Sequence, residues 1–374
     1  MATQEEVYDG LGAPGLDREL SWAEHELKER ERTKHVHRLH PYLGKFVPQL
    51  VEVCLRRHLT PGARVLDPFA GSGTTLVECA AFGAHSAGAD ISAFNALLCR
   101  VKTARHDLPA LERTLSGAIE RLDAGDPAGP RSAYLDEWFA PAALADLRRY
   151  VSLIDPHDPA ADVQRVIASR AARSARRAPH FNLDSPRHAM KEPYWCYKHR
   201  RTCSPTDDAR KFLRRYTVDT LRRITAFAEV RRDVEAVVHH ADARTLDWGG
   251  TSDGLITSPP YPGRIDYHGQ HRYAFELLGL EDRVADEIGN PVHGKSRQSV
   301  AAYCDAVAEV LGNARSQLRA GAPVVIVIDD ERHLYDAILD RAGLELVEHR
   351  VRHVNRRTGR RDEGYFEAVL VARA

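Results

Sequence analysis

The stretch Val65-Leu66-Asp67-Pro68-Phe69-Ala70-Gly71-Ser72-Gly73-Thr74-Thr75 decides the fold, because it has the pattern of a strand, a glycine-rich turn and the start of a helix. Val65 and Leu66 supply the short apolar strand. Gly71 and Gly73 permit positive φ and close approach of the backbone to a ligand. Thr74 or Thr75 can cap the following helix. The free backbone N–H groups of such a turn favour a carboxylate or phosphate.

The turn indicates a cofactor that carries a nucleoside. It lacks the Gly-x4-Gly-Lys-Ser/Thr spacing of a phosphate-binding P-loop, and Leu76 stands where a dinucleotide-binding turn has its third glycine. A second apolar stretch ends in Asp90, which is the usual place for a carboxylate that holds a ribose diol. The pattern therefore disfavours a dinucleotide.

A second motif, Ser258-Pro259-Pro260-Tyr261, follows the apolar run Gly254-Leu255-Ile256-Thr257. It places a hydroxyl, two rigid imino acids and an aromatic ring at the end of a predicted buried strand. Methylation of a nucleobase amino group needs such groups, because the hydroxyl and a fixed carbonyl can accept both amine hydrogens while the ring stacks on the flipped base. A stiff turn without chemistry is the alternative interpretation.

Together, the two motifs resemble those of DNA amino-methyltransferases that use S-adenosylmethionine, of the N4-cytosine type and restriction-modification kind. The stretch 67–74 is similar to that family's cofactor loop, and 257–261 matches its catalytic motif. Ser at the first motif position is commoner in N4-cytosine enzymes, whereas N6-adenine enzymes usually carry Asp or Asn. The stretch 40–46 resembles the segment that closes over the methionine end of the cofactor. The resemblance covers residues 35–105 and 235–374.

The resemblance implies two sets of site residues. The catalytic set is Ser258, Pro259, Pro260 and Tyr261. The cofactor set is Lys45, Phe46, Asp67, Pro68, Phe69, Gly71, Gly73, Thr74, Asp90, Ile91, Asp242 and Ala243. In this scheme Asp90 holds the ribose, Asp242 contacts the adenine, and Lys45 or Thr74 meets the methionine carboxylate. A solvated lysine and a turn-forming aspartate are the alternatives for Lys45 and Asp242.

Charge is segregated along a chain that is neutral as a whole, with 53 basic and 53 acidic residues. Residues 163–232 contain 18 Lys or Arg and six Asp or Glu. Such a region suits a polyanion, and double-stranded DNA is the expected partner, although solvated helix faces remain an alternative. The candidate DNA-binding residues are Lys198, Arg200, Arg201, Arg264, His268, Arg272, Arg356, Arg357 and Arg360.

Cys196, His199 and Cys203 have spacing that also suggests zinc, with His180 or His188 as a fourth ligand. Only three of these are local in sequence, so we favour phosphate contacts there and assign no metal. The six cysteines show no disulfide-framework spacing, as expected in a reducing compartment. We find no transmembrane run and no signal core, and so expect a cytoplasmic protein.

The predicted fold class is α/β: a Rossmann-like methyltransferase fold with a mostly parallel seven-stranded sheet, an antiparallel edge hairpin and a helical insertion. The predicted divisions are a peripheral segment (1–34), a cofactor-binding half (35–124), a basic helical insertion that is the candidate target-recognition region (125–235) and a catalytic half (236–374). A helix is expected from Trp22 to Arg32.

The predicted activity is methyl transfer to N4 of a flipped cytosine. An N6-adenine DNA enzyme, an RNA methyltransferase and a catalytically silent nucleic-acid-binding protein remain alternatives. A cysteine nucleophile for carbon-5 methylation would be expected in a Pro-Cys dipeptide, and none occurs. A cognate restriction endonuclease is a candidate partner. The oligomeric state is open, with a monomer favoured.

Overall fold

The computed structural model describes residues 16–22, 26–42, 44, 46–183, 186–262, 266–290, 294, 296–354 and 365–374. Five of the predicted site residues lie outside these ranges: Lys45, Arg264, Arg356, Arg357 and Arg360.

A seven-stranded sheet forms the centre of the protein, in the order β5-β2-β1-β6-β7-β9-β8. Its strands are β1 (Arg64–Asp67), β2 (His85–Asp90), β5 (Ala236–His240), β6 (Gly254–Thr257), β7 (Pro323–Ile328), β8 (Glu345–Val354) and β9 (Tyr365–Arg373). The five strands from β5 to β7 pair in parallel, and β9 runs antiparallel to both β7 and β8. The predicted seven-stranded Rossmann-like sheet with its antiparallel edge hairpin is confirmed. A separate two-stranded hairpin joins β3 (Tyr194–Cys196) to β4 (Arg201–Cys203).

Twelve α-helices are found among the described residues. They are α1 (Glu29–Arg32), α2 (Pro48–His58), α3 (Thr74–Phe82), α4 (Ala93–Thr103), α5 (Leu108–Glu120), α6 (Ala133–Trp138), α7 (Pro141–Ser152), α8 (Ala161–Ala175), α9 (Arg210–Ala228), α10 (Arg272–Leu278), α11 (Arg297–Arg315) and α12 (Tyr335–Ala342). No helix within the described ranges is long and apolar enough to cross a membrane.

Helices cover both faces of the sheet. Neighbouring residues of each strand point to opposite faces, and each set packs on a different layer of helices. Leu66 and Leu255 pack with the apolar side chains of α11 and α12. Val65 and Ile256 instead pack with the apolar side chains of α2. Burial on both faces explains why these strands read as continuous apolar runs in the sequence.

The strand order reverses between β1 and β6, since the chain leaves β1 towards β2 on one side and later returns on the other. In open α/β sheets, ligands bind at the carboxyl ends of the strands beside such a reversal. The glycine turn follows β1 and the Ser-Pro-Pro-Tyr motif follows β6, so the topology brings both motifs to one point.

The helices between residues 125 and 235 share an apolar core with the rest of the protein. Leu97 of α4 belongs to the same cluster of buried side chains as Ile167 of α8 and Leu213 and Ile224 of α9. Helix α4 is therefore covered by the sheet on one side and by this region on the other. The division of the chain at residues 34, 124 and 235 stays a prediction.

The predicted helix from Trp22 to Arg32 is wrong in extent, because among its described residues only Glu29–Arg32 are α-helical. Trp22 instead forms an isolated bridge with Val354, and the Asp17 N–H donates to the Val351 carbonyl at 2.8 Å. Strand β8 is the sheet edge, where unpaired backbone groups are available, and this segment uses some of them.

Candidate active site

A cleft opens where β1, β2 and β6 end. Its empty volume is about 930 Å³ including the solvent at its mouth, a size suited to a small-molecule cofactor. The predicted site residues that line it are Phe46, Asp67, Pro68, Phe69, Gly71, Thr74, Asp90, Ile91, Asp242, Ala243, Ser258 and Pro260. The two motifs, separated by almost 200 residues of sequence, thus share one cavity.

Asp90 fixes the glycine turn at the end of β2. One carboxylate oxygen accepts the Gly71 N–H at 2.9 Å, and the other accepts the Ser92 N–H at 2.8 Å and the Asn95 amide at 3.1 Å. Burial raises the pKa of Asp90 to about 6, although these donors oppose the shift. Gly71 has φ of +50°, and a Cβ there would come within 3.4 Å of the Tyr42 hydroxyl. Glycine therefore suits the turn both in conformation and in space.

Asp67 joins the glycine turn to the Ser-Pro-Pro-Tyr loop. Its Oδ1 accepts the Thr257 hydroxyl at 2.6 Å and the Phe69 N–H at 3.2 Å. Thr257 directly precedes Ser258, so this contact holds the ends of β1 and β6 together. Burial also raises the pKa of Asp67 to about 6.

Ser72 shows that the cleft has polar groups available for a ligand. Its side chain is buried, and its Oγ has no hydrogen-bond partner among the described residues, yet the residue lines the cleft. A buried hydroxyl normally has a partner, and a carboxylate or hydroxyl of a bound ligand would supply one. Gly73, by contrast, does not line the cleft. Its lack of a side chain allows close packing, because a Cβ there would come within 2.9 Å of the Cys99 sulfur.

The Ser-Pro-Pro-Tyr tetrapeptide is divided between the cleft and its surroundings. Ser258 and Pro260 line the cleft, whereas Pro259 and Tyr261 do not. The Pro260 carbonyl accepts the Tyr303 hydroxyl at 3.0 Å. The Tyr261 hydroxyl donates to Oε1 of Glu367 at 2.8 Å.

Glu367 belongs to a buried ion pair at the sheet edge. Its Oε2 accepts Nε of Arg352 at 2.9 Å, and both side chains are at most 9% exposed. Strands β8 and β9 therefore fix the orientation of Tyr261. Neither Arg352 nor Glu367 could be assigned from local sequence, because strand pairing brings them to Tyr261 from about 100 residues away.

Several cleft residues were absent from the predicted set, and among them Tyr42, Asn95, Tyr267 and Glu287 carry polar or aromatic side chains. The Asn95 amide donates to the Tyr42 hydroxyl at 3.1 Å, and the rings of Tyr42 and Tyr267 stack at 6.0 Å. Burial, with a smaller contribution from nearby carboxylates such as Asp90, raises the pKa of Glu287 to about 7. Tyr42 belongs to the stretch 40–46, and Tyr267 follows the Ser-Pro-Pro-Tyr motif by six residues, so both could have been found from the sequence. Glu287 lies in no motif that would have placed it in the cleft.

Asp242 lines the cleft but is already paired. Its carboxylate accepts Arg244 Nη2 at 2.6 Å, and hydrogen bonding to Arg244 is the main cause of the lowered pKa of Asp242. The carboxylate is thereby kept ionised, with remaining lone pairs available as acceptors.

The described candidates for DNA contact differ in their surroundings. Lys198, Arg200 and Arg201 are exposed on the β3–β4 hairpin, and no ion pair joins them to a described carboxylate. His268 lies 3.4 Å from Asp282 and packs on a phenyl ring, and Arg272 pairs with Glu276 at 3.0 Å. Contact of these five residues with DNA stays a prediction.

Comparison with known proteins identifies the family. The family model described as DNA methylase matches residues 13–97. The type II methyltransferase M.MjaII of Methanocaldococcus jannaschii is 32% identical over 430 aligned positions, covering 92% of this chain and 81% of that protein. The chain belongs to the N6/N4 family of DNA methyltransferases. It is a methyltransferase of restriction-modification type, and its cofactor is S-adenosylmethionine.

Two further similarities are more limited. The type II methyltransferase M.MvaI of Kocuria varians is 36% identical over 83 residues, which cover 21% of this methyltransferase and 18% of that one. Among solved structures, TrmN from Thermus thermophilus aligns with 88% of this chain and 50% of its own, at 15% identity and a TM-score of 0.36.

Proposed function

We propose that this methyltransferase binds S-adenosylmethionine in the cleft and transfers its methyl group to N4 of a cytosine flipped out of double-stranded DNA. The observation that carries the proposal is that Ser258 lines the same cleft as Gly71 and Asp90. A base amine held at Ser258 would thus lie beside a cofactor held by the glycine turn.

The cleft offers a partner for each part of the cofactor. Asp90, with its pKa near 6, is ionised at neutral pH and can accept ribose hydroxyls. The Ser72 hydroxyl has no hydrogen-bond partner within the described part of the chain and, together with Thr74, suits the methionine carboxylate. Asp242 suits the adenine amine, and Phe46 and Ile91 supply apolar walls. When bound, S-adenosylmethionine supplies an electrophilic methyl group on a sulfonium.

The residues after β6 can activate the amine. The N4 lone pair of cytosine is delocalised into the ring, so groups that accept both amine hydrogens make the nitrogen more nucleophilic. Ser258 Oγ and the Pro259 carbonyl are proposed for this role. The Pro260 carbonyl is already engaged by Tyr303, which fixes the loop and reduces its reorganisation during the reaction. After transfer the extra amine proton leaves to water, either directly or by a relay in which the Ser258 hydroxyl accepts it and passes its own proton to water.

Tyr261 is proposed to stack on the flipped base. Its hydroxyl donates to Glu367, which fixes the orientation of the ring at the end of the Ser-Pro-Pro-Tyr loop. Residues 125–235 are proposed as the target-recognition region, with the exposed cations of the hairpin on phosphates. A cognate restriction endonuclease is a proposed partner, and a monomer is the proposed state.

Nucleoside analysis tests the base that is modified. The methyltransferase is incubated with S-adenosylmethionine carrying a labelled methyl group and with DNA from cells that lack DNA methyltransferases. The DNA is then digested to nucleosides and examined by mass spectrometry, with RNA as a parallel substrate and Ser258→Ala as the matched variant. Labelled N4-methylcytosine that is absent with Ser258→Ala is expected. Labelled N6-methyladenine would overturn the cytosine assignment while leaving the family intact.

A further inference from the structure

The β3–β4 hairpin is too small to be stable through its own contacts. Each strand has three residues, and its buried apolar cluster comprises Tyr194, Cys196 and Cys203, with Met190 packed against it. Trp195 on the other face is 64% exposed. An isolated two-stranded hairpin is marginal in water even when longer, so a covalent or metal cross-link is the usual remedy.

Four metal-ligating side chains converge at this hairpin. They are His180, Cys196, His199 and Cys203, and one ligand atom from each lies within 4.8 Å of all the others. His180 comes from the segment after α8, which adds the fourth ligand that the hairpin sequence lacks. All six cysteines of the chain are free thiols in the structure.

The backbone turn supports this convergence. The His199 N–H donates to the Cys196 carbonyl at 3.2 Å, and Arg200 takes a left-handed φ of +52°. The chain therefore reverses tightly between the two cysteines and turns the imidazole of His199 towards both sulfurs. A non-glycine residue with such a φ is strained and persists only when its surroundings impose it.

Two sulfur–nitrogen distances at His199 agree with tetrahedral coordination. Nδ1 of His199 lies 3.6 Å from Sγ of Cys196 and 3.5 Å from Sγ of Cys203. With Zn–S of about 2.3 Å and Zn–N of about 2.05 Å, the sulfur–nitrogen edge of a tetrahedron is about 3.6 Å. Nδ1 of His180 is buried and has no hydrogen-bond partner among the described residues.

We propose that His180, Cys196, His199 and Cys203 form a closed site for a structural zinc ion. Two thiolates and two imidazoles are a common zinc set, and four protein ligands leave no position for a substrate or a reactive water. None of the four lines the catalytic cleft, so the proposal is independent of the proposed function. The ion would fix the hairpin that displays Lys198, Arg200 and Arg201.

A second cluster, His35, His37 and Glu78, does not carry the same inference. Nζ of Lys34 lies 3.1 Å from one oxygen of Glu78, and Nε2 of His37 lies 2.6 Å from the other. Lys34 is shared between this carboxylate and that of Glu52, and a metal ion at Glu78 would face the positive charge of the lysine.

Metal analysis of the purified full-length protein tests the site. We expect one zinc per chain after extensive dialysis, released in proportion when a mercurial reagent titrates the thiols. Cobalt exchanged for zinc should show the charge-transfer absorption of thiolate ligands and the intense visible bands of tetrahedral coordination. Cys203→Ser and His180→Asn should each lose most of the bound zinc. Cys304→Ser removes a buried thiol of α11 and should retain the full zinc content.

Zinc content, thiol titration and the cobalt spectrum of the unaltered protein test the proposed zinc site even if a variant fails to fold. Protein that carries no zinc and takes up neither zinc nor cobalt would overturn the proposal. A disulfide between Cys196 and Cys203 in freshly purified protein would also overturn it. Retention of zinc by Cys203→Ser and His180→Asn at the level of Cys304→Ser would place the metal elsewhere.

Discussion

At the scale of single residues, Tyr261 joins the proposed base site to the sheet edge through Glu367 and Arg352. Tyr261→Ala removes the ring, and stacking on a base is worth about 1–3 kcal/mol, so kcat/KM should fall by roughly 5- to 150-fold. Cofactor affinity should stay within about twofold, because Tyr261 does not line the cleft. Steady-state kinetics and calorimetric titration with the cofactor measure the two effects.

Tyr261→Phe is the matched control, since it keeps the ring and removes only the hydrogen bond to Glu367. Its loss in kcat/KM should be smaller than that of Tyr261→Ala. Equal losses in activity and in cofactor affinity with Tyr261→Ala would show that the residue is a packing element and not a base contact.

Asp90 gives cofactor binding a pH dependence. Its pKa is raised to about 6, and only the ionised carboxylate is a pure acceptor for ribose hydroxyls. Protonation increases as the pH falls through 6, so the dissociation constant should rise, approaching tenfold per pH unit below the pKa. Titration calorimetry at pH 7.5, 6.5, 5.5 and 5.0 with the cofactor measures this dependence together with that of Asp67, whose pKa is also near 6, and Glu287→Gln removes the cleft carboxyl with a pKa near 7. A dissociation constant that stays constant across this range would exclude Asp90 as the ribose acceptor.

At the scale of elements, the join between the glycine turn and α3 depends on close packing against α4. Gly73 has φ of +80°, and a Cβ there would come within 2.9 Å of the Cys99 sulfur and 3.3 Å of the Cys99 Cα. Gly73→Ala should lower the free energy of unfolding by about 1–3 kcal/mol or more, from backbone strain and overpacking. Gly117 of α5 has open space around it, so Gly117→Ala should raise the free energy by about 0.5–1 kcal/mol. Denaturant titration compares them, and an unaltered midpoint for Gly73→Ala would contradict the packing account.

Local sequence indicates some elements of the fold and site and not others. The glycine turn and the Ser-Pro-Pro-Tyr loop were predictable because each is a local backbone device at a strand end, and sheet topology places strand ends together. Glu287 and Glu367 were not predictable as neighbours of these two motifs, since distant segments and strand pairing bring them into place. For the proposed zinc site, the sequence offered both His180 and His188 as the fourth ligand, and only the packing of the segment after α8 selects His180. The expected helix after Trp22 was wrong because backbone pairing with the edge of β8 competed with a weak local helical preference.

At the scale of the whole molecule, zero net charge conceals a division between a basic region and an acidic remainder. Residues 163–232 carry 12 more basic than acidic side chains (18 minus 6), so the rest of the chain carries 12 more acidic ones. Several of these cations are engaged internally: Arg170 and Arg223 both pair with Asp219. The hairpin cations have no described carboxylate partner, which makes them the best candidates for phosphate contacts in this region.

The salt dependence of DNA binding tests this division of charge. Lys198→Ala with Arg201→Ala should weaken binding to all duplex sequences and reduce the slope of log K against log salt by about 1.8, or about 0.9 for each phosphate that is no longer neutralised. Arg319→Ala is the matched control, because its exposed guanidinium pairs with Asp253 before the start of β6, at the opposite end of the strands from the cleft. Fluorescence anisotropy with a labelled duplex at several salt concentrations gives both slopes. If the double variant has the same slope of log K against log salt as Arg319→Ala, the hairpin does not bind the phosphate backbone. Other cations of the basic region would then supply the attraction to DNA.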